Sequence, residues 1–329
     1  MASSSNKKLL LFYVLEILKK YTDENHMLTR DEIGKLVESE FGMYCERKTS
    51  VANIEALEEL GYEIGKEKGK GYHLITRDFT KGEILFLLDA IFSSKVIPYK
   101  QAEELSKKLL SFFSKYENKD FNFIYKSSQI SRTNLNQIFY TIERISEAIK
   151  DKKKISFTYQ RNSFNKNVSE KTHIVSPYAM VNSQGKYYLV CNKDGLNDLT
   201  NFKIEKIIKI AILNEKSCPV ENFEGYEKGF DVSKYTNENI YMFGGKTVSA
   251  TLKIEDEYIV DYVYDWFDKN STLIRKKDGV IYADVVVNES ALVYWALQYG
   301  AGVEVLQPLS TREKIAKIVS SMNNKYNNK

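Results

Sequence analysis

The sequence predicts a multidomain α+β protein in which a helical N-terminal half is followed by a small β-barrel and then by a mixed α/β domain. Three observations carry that prediction. Apolar residues recur at helical spacing as far as residue 150. At Lys154 the period drops to about two and stays there through five or six short β-rich runs. Beyond Gly245 strand and helix signals alternate in the order βαββαβ. With 329 residues the chain is long enough for two or three domains, each with its own core.

Helix one is expected over Lys7–Tyr21, where Leu11, Val14, Leu15 and Leu18 follow the i, i+3, i+4, i+7 rule. Thr29 caps a second helix and Glu32 completes the capping box ahead of Ile33, Leu36 and Val37, with Gly42 as terminator. A third helix is read from about Glu46 to Leu60; it buries Ile54, Leu57 and Leu60 and stops at Gly61. A hairpin follows, with strands Tyr62–Gly65 and Gly71–Ile75 joined by a turn carrying Lys66, Lys68 and Lys70. Three short helices and a basic hairpin, in that order, are the layout of a winged helix-turn-helix over residues 7–78. That layout points to double-stranded DNA, the third helix entering the major groove and the hairpin meeting flanking backbone.

A second capping box, Thr80 with Glu83, opens a helix containing Ile84, Leu85, Leu88 and Ile91. Helical patterns over Lys100–Tyr116 and Arg132–Lys150 complete a helical linker, residues 79–150, that pairs with its copy in a homodimer or packs on its own chain. The β-rich runs are Ile155–Gln160, Lys171–Val175, Tyr178–Val181, Tyr187–Cys191, Asn201–Ile204 and Ile207–Leu213, which place a barrel over residues 151–216. After a loop from Cys218 to Gly245, the order is strand Thr247–Ile254, helix Glu257–Phe267, strands Ser271–Arg275 and Gly279–Val287, helix Ser290–Tyr299, strand Val303–Leu306 and helix Ser310–Tyr326. This βαββαβ unit with a closing helix, residues 245–327, reads as ferredoxin-like.

Composition narrows the function. The formal charge of +4 is too small to argue for nucleic acid, because Glu55, Glu58, Glu59 and Glu63 offset Arg47, Lys48, Lys66 and Lys68 in the N-terminal segment. Cys45, Cys191 and Cys218 match no zinc or redox spacing and are expected as buried thiols in a reducing, cytoplasmic setting. The serine-rich Met1–Asn6 is read as a floppy leader, and no stretch approaches the ~20 apolar residues of a membrane span. His26, His73 and His173 stand apart with no metal or nucleophile motif around them, so neither a cofactor nor an enzyme is expected.

Ser176-Pro177-Tyr178, Gly185-Lys186-Tyr187-Tyr188-Leu189-Val190 and Asn201-Phe202-Lys203-Ile204-Glu205-Lys206-Ile207 together resemble the WYL domain, an Sm-like barrel named for a Trp-Tyr-Leu tripeptide. Tyr187 stands here for the tryptophan. Where the family shows Phe-Arg and then Asp-Arg, this chain has Lys203, Glu205 and Lys206, which keep charge and lose the guanidinium forks. Arg47-Lys48-Thr49, Asn53-Ile54-Glu55-Ala56-Leu57 and Gly69-Lys70-Gly71-Tyr72 resemble the DeoR-type winged helix that precedes WYL domains. Gly300-Ala301-Gly302-Val303-Glu304-Val305-Leu306, with Pro308 and Arg312, resembles the WCX extension that follows them. The resemblance implies a dimeric transcription regulator whose barrel binds a nucleotide or single-stranded nucleic acid and whose winged helix binds promoter DNA.

Candidate DNA contacts are Lys48 first, then Arg47 and Thr49 at the start of helix three, with Val51 and Ala52 on its outer side. Lys66, Lys68 and Lys70 are expected at phosphates, and Tyr72 under the wing. In the barrel, Tyr159, Ser176, Tyr178, Tyr188, Asn201, Lys203 and Lys206 supply hydroxyls, an amide, cations and aromatic faces, the groups that a nucleotide or single strand needs. Arg312 reaches either that ligand or a salt bridge. Two functions compete: a ligand-responsive regulator, and an accessory protein that binds single-stranded nucleic acid through the barrel and modulates a partner effector. Ala52-Asn53, where relatives have Arg-Asp, and the acidic end of helix three keep the second in play.

Overall fold

A computed structural model describes residues 4–94, 96–118, 137–161, 169–267 and 269–327. The chain divides into two units, residues 1–134 and 135–329.

In the first unit, α1 (Ser4–Tyr21), α2 (Arg30–Phe41) and α3 (Arg47–Glu59) enclose a core of Leu10, Val14, Ile17 and Leu18 from α1, Ile33 and Val37 from α2, and Ile54 and Leu57 from α3. Helix α1 begins inside the expected leader, whose first three residues lie outside the described ones. The Thr29–Glu32 capping box forms in both directions, the Glu32 amide donating to the Thr29 hydroxyl at 3.3 Å and Thr29 N–H to the Glu32 carboxylate at 2.8 Å. Gly42 ends α2 in the left-handed conformation, φ 64°. Leu60, expected in the core, is 66% exposed because α3 has ended at Glu59 and its last apolar residue falls beyond the packed face.

Gly34 lets α2 and α3 approach: a Cβ there would lie 2.5 Å from the Cys45 carbonyl oxygen. The hairpin β1 (Ile64–Glu67) and β2 (Gly71–Leu74) is tied back to the helices by two backbone hydrogen bonds between Leu28 and Tyr72, at 2.9 and 2.8 Å. At Gly71, φ 122°, a Cβ would meet the Leu28 carbonyl oxygen at 2.2 Å, so this bridge requires glycine.

Helices α4 (Lys81–Ser93) and α5 (Tyr99–Leu110) bury Ile84, Leu88 and Phe92 and pack with Phe113. The second capping box, Thr80–Glu83, also forms. Helix α5 stops six residues short of the Tyr116 expected from periodicity, because the next segment is claimed by other contacts. Lys115 N–H donates to the Lys20 carbonyl at 2.9 Å, the Ser114 hydroxyl donates to Asp23 at 2.6 Å, and Tyr116 stacks on His26 with ring centroids 3.8 Å apart. Asp23 is held below the usual carboxylate range: burial opposes the shift, and hydrogen bonds from Ser114, His26 and the Asn25 amide outweigh it.

The second unit opens with α6 (Ile138–Lys150); the start expected at Arg132 lies outside the described residues. Helix α6 lays Ile138, Ile145 and Ala148 against an antiparallel five-stranded sheet of order β6-β5-β4-β3-β7. The strands are β3 (Lys153–Arg161), β4 (Ser169–Ser183), β5 (Lys186–Lys193), β6 (Leu199–Lys203) and β7 (Ile207–Lys216). The two runs Lys171–Val175 and Tyr178–Val181 are one 15-residue strand, β4, whose pairing with β5 shifts register between Pro177 and Ala179. Proline lacks an N–H for the ladder, and the bulge absorbs it. The expected closed barrel is not found among the described residues. β6 passes into a 3₁₀ turn, Ile204–Lys206, that leads into β7, which lies beside β3 at the other end of the strand order, and no pairing of β6 with β7 is found among the described residues.

After α7 (Val232–Glu238), inside the segment expected as loop, the βαββαβ order appears as β8 (Thr247–Ile254), α8 (Ile259–Trp266), β9 (Leu273–Lys277), β10 (Val280–Asn288), α9 (Glu289–Gln298) and β11 (Val303–Gln307), closed by α10 (Leu309–Asn327). The sheet order is β11-β8-β10-β9, and all its pairings are antiparallel. Leu252, Val263, Val285, Leu292 and Trp295 fill its core.

Gly34→Ala should destabilise the first unit by about 1–3 kcal/mol, the usual cost of overpacking against atoms that cannot yield, although alanine is the better helix former by roughly 1 kcal/mol. Urea denaturation measures it; an unchanged or raised midpoint contradicts the close-approach argument.

Candidate functional site: a cationic cleft on the five-stranded sheet and a basic face on the helical unit

On the first unit, α3 presents Lys48 and Ala52 to solvent and leaves Thr49 and Val51 half-covered. Ser50, one turn from Ile54, is buried against Cys45 and turns its side of the helix inward. Arg47 lies 3.9 Å from Asp31 in an exposed pair, whereas Lys48 has no ion-pair partner among the described residues. In the hairpin, Lys66 and Lys68 are exposed, Lys66 lies over the Tyr72 ring at 5.5 Å, and Lys70 pairs with Glu67 at 2.9 Å. Tyr72 is buried, and Arg30 donates to its hydroxyl at 3.2 Å. Sequence reading had not singled out Arg30, since its partner stands 42 positions away.

Within the second unit a cleft of ≈ 460 Å³ opens between β3, β4, β5 and the turn after β6. Of the residues expected at the ligand, it brings together Tyr159, Asn201 and Lys206. Period two along β3 and β5 adds Arg161 beyond Tyr159 and Lys193 beyond Cys191, and β4 contributes His173 opposite Phe157. These three were missed because the register that aligns the strands is not written in any one of them. The floor is aromatic: Phe202 lies 5.0 Å from Tyr159 and 4.9 Å from His173, centroid to centroid. Burial raises the Tyr159 hydroxyl above its ordinary pKa, against a hydrogen bond from the Lys203 backbone. Burial also lowers the His173 imidazole, as do the charges of Lys193, Lys171 and Arg161. Among the described residues Arg161, Lys193 and Lys206 have no carboxylate partner within salt-bridge distance.

Ser176, Tyr178 and Tyr188 are held by other parts of the fold, and Asn201, although it lines the cleft, has its amide engaged elsewhere. Ser176 is fully buried and its hydroxyl accepts the Cys218 N–H at 2.9 Å, while the Tyr178 hydroxyl donates to the Cys218 carbonyl at 2.9 Å. Tyr188 packs in the core with Val181, Val190 and Leu199. The Asn201 amide donates to the Met242 carbonyl at 3.2 Å and accepts from the Tyr235 hydroxyl at 3.0 Å. Lys203 pairs across from Tyr188 and does not line the cleft. Arg312 forms a salt bridge with Glu304, one of its two expected roles. Cys45 and Cys191 are buried as expected; Cys218 is half-exposed because it lies where the chain leaves β7. Among the described residues no group of three His, Cys, Asp or Glu side chains is placed to hold a metal, and no helix is long and apolar enough to cross a membrane.

Tyr178→Phe deletes one hydrogen bond to the Cys218 backbone and should cost about 0.5–1.5 kcal/mol of stability without weakening any ligand bound in the cleft. A calorimetric unfolding scan beside a binding titration separates the two; lost binding at unchanged stability reverses the assignment.

The WYL domain model matches residues 140–212, which span this sheet and cleft, and the WCX domain model matches residues 246–322, the βαββαβ unit. The chain is 26% identical over 189 residues to the uncharacterized HTH-type transcriptional regulator YobV of Bacillus subtilis (strain 168), covering 56% of this chain and 55% of that protein. The chain therefore matches about half the length of this curated relative. Among solved structures it is similar to proteasome accessory factor B/C (PafBC) of Arthrobacter aurescens, at 15% identity and TM-score 0.31, over 97% of this chain and 49% of that one. It is also similar to a CRISPR Cas-related protein, at 15% identity and TM-score 0.40, over 100% of this chain and 88% of that one. The WYL domain model thus covers the cleft, and the WCX domain model follows it along the chain.

Proposed function

We propose that this protein is a ligand-responsive transcription regulator that binds double-stranded DNA through its first unit, as a homodimer, and senses an anionic ligand in the cleft of its WYL domain. The observation that carries the reading is the pairing, on one small unit, of an α3 whose first turn exposes Lys48 with a hairpin whose turn exposes Lys66 and Lys68. We read this unit as the winged helix-turn-helix expected from the sequence, with the N-terminal half of α3 in the major groove and the hairpin on phosphates. The match to an HTH-type regulator supports the same reading. Lys48 contacts a base or phosphate, Arg47 and Thr49 contact phosphates, and Val51 and Ala52 face the groove. Lys70 joins the hairpin contact after giving up Glu67, a surface pair worth about 0–1 kcal/mol. The protein acts in the cytoplasm and not as an enzyme.

In the WYL domain, aromatic faces beside cations suit a nucleotide or single-stranded nucleic acid, and the cleft falls within the ~300–1,000 Å³ of small-molecule sites. Ligand binding and DNA binding are reciprocally coupled, typically by about 1–3 kcal/mol. A second reading is favoured by the exposed Glu55, Glu58 and Glu59, which repel phosphates from the C-terminal half of α3: an accessory protein that binds single strands and acts on a partner effector.

Incubating the full chain with fragmented genomic DNA at near-physiological salt, and sequencing the duplexes retained, should enrich an inverted repeat that Lys48→Ala loses. Lys66→Ala and Lys68→Ala should weaken binding across all sequences, each reducing the slope of log affinity against log salt by about 0.9. Retention of single strands with no duplex enriched overturns the regulator reading in favour of the accessory one.

A further inference from the structure

His173 is the unusual member of the cleft. It is 6% exposed, and its Nδ1 has no hydrogen-bond partner among the described residues. Its ring is wedged among Phe157, Tyr159 and Phe202, at centroid distances of 5.8, 6.3 and 4.9 Å. A buried ring nitrogen left unpaired costs free energy and calls for an explanation.

The charges around it are of one sign. Arg161 comes from β3, Lys171 from its own strand β4, Lys193 from β5 and Lys206 from the turn after β6. The nearby acids are otherwise engaged: Asp194 pairs with Lys154 at 2.8 Å, Glu170 accepts from Gln160 at 3.0 Å, and burial pushes the Glu205 carboxyl toward its neutral form. Tyr159 lines the cleft beside it, and Lys153, Tyr178, Lys186, Tyr187, Tyr188, Cys191 and Lys203 are the other titratable groups on these elements.

We propose that the cleft binds a terminal phosphate, a phosphate monoester, and that His173 takes up a proton as it does so. The proposal rests on the reading of the cleft as the effector site and narrows its ligand. Arg161, His173, Lys193 and Lys206 come from four different elements and surround one cavity, whereas donors for an internal phosphodiester would be strung along a track. A monoester offers three terminal oxygens and, with its second ionisation near ~6, most of a second negative charge at neutral pH. An internal diester offers two free oxygens and a single charge. Without ligand, burial and the surrounding cations shift His173 toward its neutral form. A phosphate dianion in the cleft that His173 lines reverses the local field, so the bound state favours imidazolium. Affinity therefore rises as pH falls through the bound-state midpoint and levels off below the free-state one. Protonation of the phosphate itself works the other way below about pH 6.

The phosphate can belong to a free nucleotide or to the end of a strand, and one experiment separates them. The full-length protein is titrated calorimetrically with adenosine 5′-monophosphate against adenosine, and with 5′-phosphorylated against 5′-hydroxyl oligothymidylate of equal length, at about pH 6.5 and about pH 8. Binding at least about tenfold tighter for the phosphorylated member of either pair is expected, with proton uptake read from buffer-dependent heats. The chain has only three histidines, so the His173 ring resonance is identified by its loss in His173→Gln, or by elimination in His26 and His73 variants if that protein does not fold. On ligand addition the resonance should move to the imidazolium position, and His173→Gln should bind with the extra pH dependence gone. Equal binding of phosphorylated and hydroxyl strands, both lost in Lys206→Ala, overturns the terminal-phosphate proposal and leaves the cleft a nucleic-acid site. Phosphate-dependent binding with the His173 resonance unmoved overturns the proton uptake. Binding of none of the probes overturns this proposal together with the reading beneath it.

Discussion

Strand β4 has to satisfy neighbours on both sides and both faces, and the second unit depends on its register. At its centre Ser176 and Tyr178 hold the Cys218 backbone from one direction, while Val175, Ala179 and Val181 are buried in the sheet's packing. Pro177 cannot complete the ladder, so the strand bulges there instead of breaking. A slip of one residue would send every side chain of β4 to the opposite face. Upstream of the bulge the same register sets His173 opposite Phe157 and brings the imidazole to the cleft. Structural clasp and candidate site are thus consequences of one alignment.

The cleft gathers charge without cancelling it. Some cations of the same unit are paired: Lys154 with Asp194 and Glu215, Lys314 with Glu289, Arg312 with Glu304. Around His173 the cations stand on strands whose acids Asp194 and Glu170 have other partners, above a floor of aromatic rings. Like charges held together near a low-dielectric surface raise the free energy of the empty protein, and an anion relieves it.

The N-terminal unit shows local rules and tertiary demands agreeing. Both capping boxes were legible as Thr-x-x-Glu, since the chemistry of a helix start is contained in four residues. Gly34 and Gly71 were not legible as close approaches: each is required by a carbonyl, of Cys45 or Leu28, brought near by folding. Helix α5 was read too long because periodicity continues past Leu110, and the contacts that divert Ser114, Lys115 and Tyr116 are made with residues about 90 positions earlier.

By itself the sequence determined the order of the first three helices and the hairpin, the change from helical to strand period at Lys154, the βαββαβ pattern after Gly245 and the motifs of the WYL and WCX domains. These are properties of spacing, set within a few residues of one another. Tertiary structure alone decided that the β-rich region is an open five-stranded sheet, because the pairing of edge strands is a long-range matter that no strand encodes. It also decided which polar residues share a cleft. Tyr159, Asn201 and Lys206 meet there, joined by Arg161, His173 and Lys193, while Ser176, Tyr178 and Tyr188 are taken up by packing and by the Cys218 backbone. A hydroxyl or a ring in a strand is equally suited to either task, and only the register of its neighbours selects between them.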